Sequence, residues 1–346
     1  MDRSAAIVSE SLREVLQAGR LAVSLLVALV FTGCGSGSSP TTPSPPGTAT
    51  PNAGRTYLNQ VLDTMQANSI NRNKIDWTSF RQSVNQAAPN PQTIADTYPA
   101  ISIALGLLGD HHSFFVKPDG SYIYNPNPLP ACTDQAPPLP SVPPDIGYVW
   151  VGATTGSPLA PVDFAVAIQK RIADADDRDL KGWIVDLRGN GGGNMWPMIA
   201  GLGPILGEGT AGAFVDLDNR VSWWAYANGA STDGGQLRVQ VPTPYALLKP
   251  SPTVAVLTNC GVASSGEATA IAFRVRANTR SFGTPTRGLS TSNNGFPMND
   301  GASLVLTVSV MADRTLTRYG GVVTPDEVVV DPARHVERAI EWIRSF

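Results

Sequence analysis

The strongest constraint on this chain is a pair of short apolar runs, each ending in a turn rich in glycine, alanine and serine. Lys181–Leu187 (KGWIVDL) leads into Arg188-Gly189-Asn190-Gly191-Gly192-Gly193-Asn194. Val254–Thr258 (VAVLT) leads into Gly261-Val262-Ala263-Ser264-Ser265-Gly266-Glu267. Near-continuous apolar runs of this length suit strands buried on both faces. A helical pattern follows each turn, Met195–Leu206 after the first and Ala268–Ala277 after the second. Recurring strand–loop–helix units make the body α/β. Further strands are expected at His111–Val116, Ile146–Val151, Ser281–Gly283, Ala302–Val310 and Glu327–Val330, and further helices at Val162–Ala173 and Ala333–Phe346. Helical spacing also dominates from residue 55 to about 109, where a third apolar helix, Ile94–Leu108, stops at Gly109. Residues 118–145 read as an irregular, proline-rich loop.

The start of the chain has a different character. Leu21–Phe31 is an uninterrupted apolar run of 11 residues preceded by Arg20, the length of a signal-peptide core and too short to span a bilayer. It runs into Thr32-Gly33-Cys34, which resembles a bacterial lipoprotein signal with Cys34 as the lipidated residue; an ordinary signal peptide or a lone membrane-anchoring stretch is the plainer reading. Residues 35–54 form a Ser/Pro/Thr/Gly linker with too few apolar side chains for a core. The expected organisation is 1–34 signal, 35–54 linker, 55–110 helical subdomain and 111–346 catalytic core. This places the protein outside the cytoplasm, in the cell envelope and lipid-anchored to a membrane. A net charge of −3 with no basic block excludes a nucleic-acid footprint. Cys132 and Cys260 can pair in an oxidising compartment or stand as free thiols; the preferred reading leaves them unpaired. No Cys/His cluster suggests a metal, and no cofactor is implied.

A serine at a strand–helix turn carries its hydroxyl beside free backbone amides and the positive end of a helix dipole, a setting that suits an oxyanion. Ser264 has that position, although Ser264-Ser265-Gly266-Glu267 also fits a plain capping box. The glycines at 191–193 let amides approach a ligand, without the lysine of a phosphate loop. Only three histidines exist. His335, among Arg334, Glu337 and Arg338, reads as part of a solvated helix face, which leaves His111-His112 as the source of a general base near neutral pH.

Asp186-Leu187-Arg188-Gly189-Asn190-Gly191-Gly192-Gly193 resembles the D-x-R-x-N-x-G-G signature of the tail-specific (C-terminal processing) protease family, which includes the tricorn core. Ala263–Glu267 resembles its nucleophile segment, and Leu108-Gly109-Asp110-His111-His112-Ser113 the L-G-D-x-H-S/T segment of its histidine-using branch. Lys74–Trp77 and Gly321–Asp326 are further landmarks. The resemblance spans roughly residues 55–345. It implies a crotonase/ClpP-like ββα core with a small N-terminal helical subdomain. It also implies a serine peptidase with Ser264 as nucleophile, His112 as base, and backbone amides of Gly192 or Gly193 and Ser265 as oxyanion hole. Its substrates would be peptides or proteins.

Three departures matter. The position 25 residues beyond Ser264, lysine in another branch, is Leu289. About 30 residues separate Phe115 from Ile146, too few for a PDZ domain. The second serine of the tricorn-type tetrad falls at His111, and its glutamate near Tyr319-Gly320-Gly321, where there is none. The core is then either a plain Ser264–His112 dyad or one in which another group orients His112, with Asp110 and Asp326 as candidates. Two competing readings are a catalytically silent peptide-binding lipoprotein and an acyl-CoA enzyme on the related crotonase-like fold. Trp223, Trp224 and Tyr226 read as packing residues in preference to a substrate surface.

Overall fold

A computed structural model describes residues 52–133 and 139–346. The expected signal segment, Cys34 and the expected linker up to residue 51 lie outside the described residues.

Five parallel strands make the first sheet: β3 (Ile146–Trp150), β4 (Gly182–Asp186), β9 (Val254–Thr258), β10 (Thr279–Gly283) and β13 (Glu327–Val328). Their order is β13-β10-β9-β4-β3. Every residue of β4 and β9 is buried, which is why both read as unbroken apolar runs. Alternate side chains serve opposite faces. Trp183, Val185, Val254 and Val256 enter the core shared with helices α4 (Pro161–Ala175), α5 (Met195–Leu206) and α6 (Ser265–Ala272). Ile184, Ala255 and Leu257 face α7 (His335–Ile343).

The second sheet has eight strands. Its path runs β2 (Tyr122–Tyr124), β1 (Phe114–Val116), β12 (Ser303–Ala312), β5 (Gly209–Asp216), β6 (Val221–Ala227), β7 (Ala230–Asp233) and β8 (Gln236–Gln240), with β11 (Thr291–Pro297) along the other edge of β12. All its pairings are antiparallel. Three N-terminal helices, α1 (Ala53–Asn68), α2 (Trp77–Ala87) and α3 (Tyr98–Leu107), bury Leu58, Leu62 and Ile101 against Phe115, Leu304 and Leu306 of this sheet. The landmark Asp76 caps α2 by accepting the amides of Thr78 and Ser79. The architecture is the mixed α/β fold expected.

Four corrections follow. Helix α6 begins at Ser265 and ends at Ala272, several residues before the expected Ala277, so the serine-bearing turn is shorter than the apolar pattern suggested. His335 is fully buried: it lies four and eight residues from Ala339 and Ile343 on the sheet-facing side of α7, and its ring Nε2 bonds the Val329 carbonyl at 2.8 Å. Cys132 and Cys260 form a disulfide across a sequence separation of 128 residues. Finally, the antiparallel meander of residues 209–240 was not anticipated. Its β6–β7 turn uses Asn228-Gly229, both at positive φ, the usual signature of a tight hairpin. Trp224 and Tyr226 of the meander are buried in the core, and Trp223 is partly exposed.

Candidate active site

The D-x-R part of the glycine-loop motif is structural. Asp186 and Arg188 are both buried, and the Arg188 guanidinium binds the carboxylate through Nε (2.9 Å) and a terminal nitrogen (2.6 Å), while the Tyr148 hydroxyl donates to the same group at 2.8 Å. A buried charge pair survives only when its remaining hydrogen-bonding capacity is met in this way. The pair rigidifies the exit of β4 into the glycine loop.

Asn190 then stitches that loop to the serine segment. Its carbonyl accepts the Ala263 amide at 2.9 Å, its side-chain oxygen accepts the Gly192 amide at 3.0 Å, and its side-chain nitrogen donates to Val151 at 3.1 Å. Gly192 lies so close that a Cβ there would stand 2.7 Å from the Ala263 carbonyl oxygen and 3.0 Å from the Ser264 Cβ. Gly192 also has φ near +102°, so two independent demands select glycine. The engagement of its amide by Asn190 departs from the expectation that Gly192 donates to an oxyanion. The Gly193 and Ser265 amides, by contrast, donate to no other group among the described residues. The Ser265 hydroxyl holds the Gly193 carbonyl at 2.6 Å, so these two residues are fixed to each other.

Ser264 has φ 52° and ψ −116°, a region seldom occupied by residues with a side chain and costing about 1–3 kcal/mol. Such a conformation persists only where its surroundings over-determine it. Here the Ser264 amide donates to Glu267 Oε2 at 2.8 Å and its carbonyl accepts the Ala268 amide at 3.0 Å. Glu267 is fully buried and takes three further hydrogen bonds, from the Thr286 hydroxyl (2.6 Å) and the amides of Gly288 (2.9 Å) and Leu289 (2.8 Å). Burial holds its carboxyl above the ordinary carboxylate value, and these donors, led by Thr286, offset that only in part.

His112 lies at the mouth of β1. Its ring Nδ1 is 2.8 Å from the Thr291 hydroxyl at the start of β11, and its Nε2 makes no hydrogen bond among the described residues. Burial lowers the imidazole to about 4, partly offset by the charge of Asp110, so the ring is neutral at pH 7. Asp110 does not touch the ring. Its carboxylate accepts the amides of His112 (2.9 Å) and Ser113 (2.7 Å) and the hydroxyls of Ser113 and Thr307, and so shapes the loop. Asn293 donates to the His112 carbonyl at 2.8 Å. Asp326 is committed elsewhere, to Ser281 and Arg274. Neither aspartate is therefore the ring's partner; Thr291, which the sequence reading did not single out, is. His111 is exposed, with only a long contact of 3.4 Å to Asn125.

Ser264, His112, Gly193 and Ser265 all line one cleft of about 860 Å³. Its other walls are mixed: Phe114, Trp196, Phe214 and Met311 stand beside Thr155, Asn194 and Asn294, and Arg238 lies over the Trp196 ring at 5.6 Å and pairs with Asp233 at 2.7 Å. Tyr124 of the proline-rich segment also reaches the cleft, whereas Trp223, Trp224 and Tyr226 do not line it. The disulfide ties that segment to Cys260, four residues before Ser264, and Arg287 binds the carbonyl of Pro130 from the same side.

Comparison with known proteins bears on the family and the fold. The nisin-resistance protein of Lactococcus lactis subsp. lactis is 26% identical over 289 residues, covering 84% of this chain and 86% of that protein. A lipoprotein from Streptococcus agalactiae has a similar structure, with a TM-score of 0.65 and 22% identity over 89% of this chain and 99% of that one. The photosystem II D1 C-terminal processing protease shares the fold at a TM-score of 0.52 and 14% identity, over 80% of this chain and 93% of that one. The model of peptidase family S41 matches residues 145–329, more than half the chain and the whole span from β3 to the last strand. The chain belongs to peptidase family S41, the tail-specific proteases.

Proposed function

We propose that this chain is a serine peptidase in which Ser264 attacks the substrate carbonyl and His112 is the general base. One observation carries the reading: a serine in a rarely populated backbone conformation and a neutral histidine with a free Nε2 line the same cleft. In the proposed reaction Nε2 of His112 takes the Ser264 proton as Oγ bonds to the carbonyl carbon. The Gly193 and Ser265 amides stabilise the oxyanion. His112 returns the proton to the leaving amine, and water, deprotonated by the same ring, releases the acyl group. Gly192 contributes by letting its loop lie against Ser264. The substrates are peptides or proteins. A fluorophosphonate probe tests the reading: it should label the wild type at Ser264 and leave Ser264→Ala and His112→Ala unlabelled.

The competing reading is a silent peptide-binding protein on the same fold. It is favoured by the lack of any carboxylate at the His112 ring among the described residues. Folded wild-type protein that resists the probe would favour it over the peptidase.

The apolar run before Cys34, together with a disulfide of the kind found in oxidising compartments, supports export. We place the protein in the bacterial cell envelope, anchored through lipid on Cys34. Cys34→Ala should shift it from the membrane pellet to the soluble fraction; unchanged partitioning would dismiss the anchor.

A further inference from the structure

We infer that Thr291 is the positioning residue of the base: its hydroxyl accepts the Nδ1 proton of His112, fixing the tautomer and ring plane that keep Nε2 available to Ser264. The inference deepens the proposed Ser264–His112 reaction and rests on it. A neutral imidazole has one donor nitrogen and one acceptor, and the partner of one decides the role of the other. The 2.8 Å contact from Nδ1 to Thr291 Oγ1 is the ring's one hydrogen bond among the described residues.

Thr291 is built to hold that place. It is buried at 9% exposure, is paired with Val310 in β12, and donates its own amide to Leu289 at 2.8 Å. Branching at Cβ restricts its χ1, so the hydroxyl gives up little freedom when it meets the ring. Leu289 is held in turn by the Glu267 carboxylate, which also holds the Ser264 amide. One buried anion thus links the serine to the strand that orients the histidine.

The device is uncharged. The charged or titratable groups on the elements around His112 are Asp110 in its own loop, the exposed His111, Tyr124 of β2, and Asp233 and Arg238 across the cleft, and none bonds the ring. A carboxylate placed at residue 291 would add a counter-charge that the wild type lacks.

The test combines tautomer and pH. In 15N-histidine NMR of the wild type, with His112 assigned through His111→Ala and His335→Gln, the ring should show the Nδ1–H tautomer; the Nε2–H tautomer would overturn the proposal without any variant at residue 291. The rate of fluorophosphonate labelling should fall at least roughly 10-fold in Thr291→Val, a part of the roughly 10²–10⁴-fold that a positioned general base contributes, and stay within about threefold in Thr291→Ser. Thr291→Asp should move the acid limb of the rate profile up by about one pH unit or more. A Thr291→Val protein that folds and labels like the wild type, or a Thr291→Asp protein with an unmoved acid limb, would refute the positioning role. If Ser264→Ala still labels, the underlying assignment of the nucleophile has failed instead.

Discussion

The carboxylate of Glu267 accepts the amide of Ser264 at 2.8 Å, three residues earlier in the chain. The same group receives the Thr286 hydroxyl and the amides of Gly288 and Leu289, so it joins the serine turn to the segment that enters β11. The capping-box pattern and the nucleophile pattern therefore coexist: the glutamate that caps α6 also holds Ser264 in its rare conformation.

Glu267→Gln removes one acceptor oxygen and turns an NH₂ group toward donors. At least one backbone amide loses its partner and faces another donor instead. Stability should fall by about 1–3 kcal/mol, the cost of an unmet buried polar group, and fluorophosphonate labelling should fall with it. Equilibrium urea unfolding checks the first, and a variant as stable as the wild type would show that Glu267 is not the clamp described.

The Cys132–Cys260 disulfide closes a long loop and fixes the proline-rich segment beside the serine turn. Its loss should cost roughly 2–5 kcal/mol. A Cys132→Ser/Cys260→Ser protein should melt several degrees lower, and reductant should lower the wild type's melting temperature while leaving the double variant unchanged. Equal melting temperatures for wild type and double variant would contradict the constraint.

The pH dependence has a definite sign. The folded His112 ring lies near 4, below the ordinary histidine value of 6.5. Between those values the unfolded chain binds the proton more readily, so the stability due to the neutral ring is fully present above 6.5 and is lost as pH falls toward 4. The reactive neutral form persists through the same window. Labelling per folded molecule should hold down to about pH 5 and drop near 4; an acid limb centred at 6.5 would show that the ring is not desolvated.

Much of this was legible in the sequence. The apolar runs of β4 and β9 fix a buried parallel pair, because only strands covered on both faces can be so uniformly hydrophobic. The turns after them carry Gly192 and Ser264, and Leu289 at the lysine position pointed to histidine as the base. The meander of residues 209–240 is hidden because outward positions such as Val221, Trp223 and Leu237 carry apolar side chains and blur the alternation; Asn228-Gly229 is the signal that reveals it. Thr291 was missed for another reason. A lone threonine carries no motif, and its partner is 179 residues away, brought near by the pairing of β11 and β1 with the common strand β12. His335 was misplaced because its charged neighbours outweighed the four-residue spacing to Ala339.

The central claim is that Ser264 Oγ bonds to the substrate carbonyl while His112 carries the proton from Ser264 to the leaving amine. The most direct measurement is mass-spectrometric detection of the fluorophosphonate adduct, alongside casein hydrolysis, in purified wild type, Ser264→Ala and His112→Ala of matched melting temperature. The account predicts one adduct, on Ser264, in the wild type, with both adduct formation and hydrolysis falling by at least about 10³-fold in either variant. Hydrolysis at the wild-type rate by Ser264→Ala would contradict it.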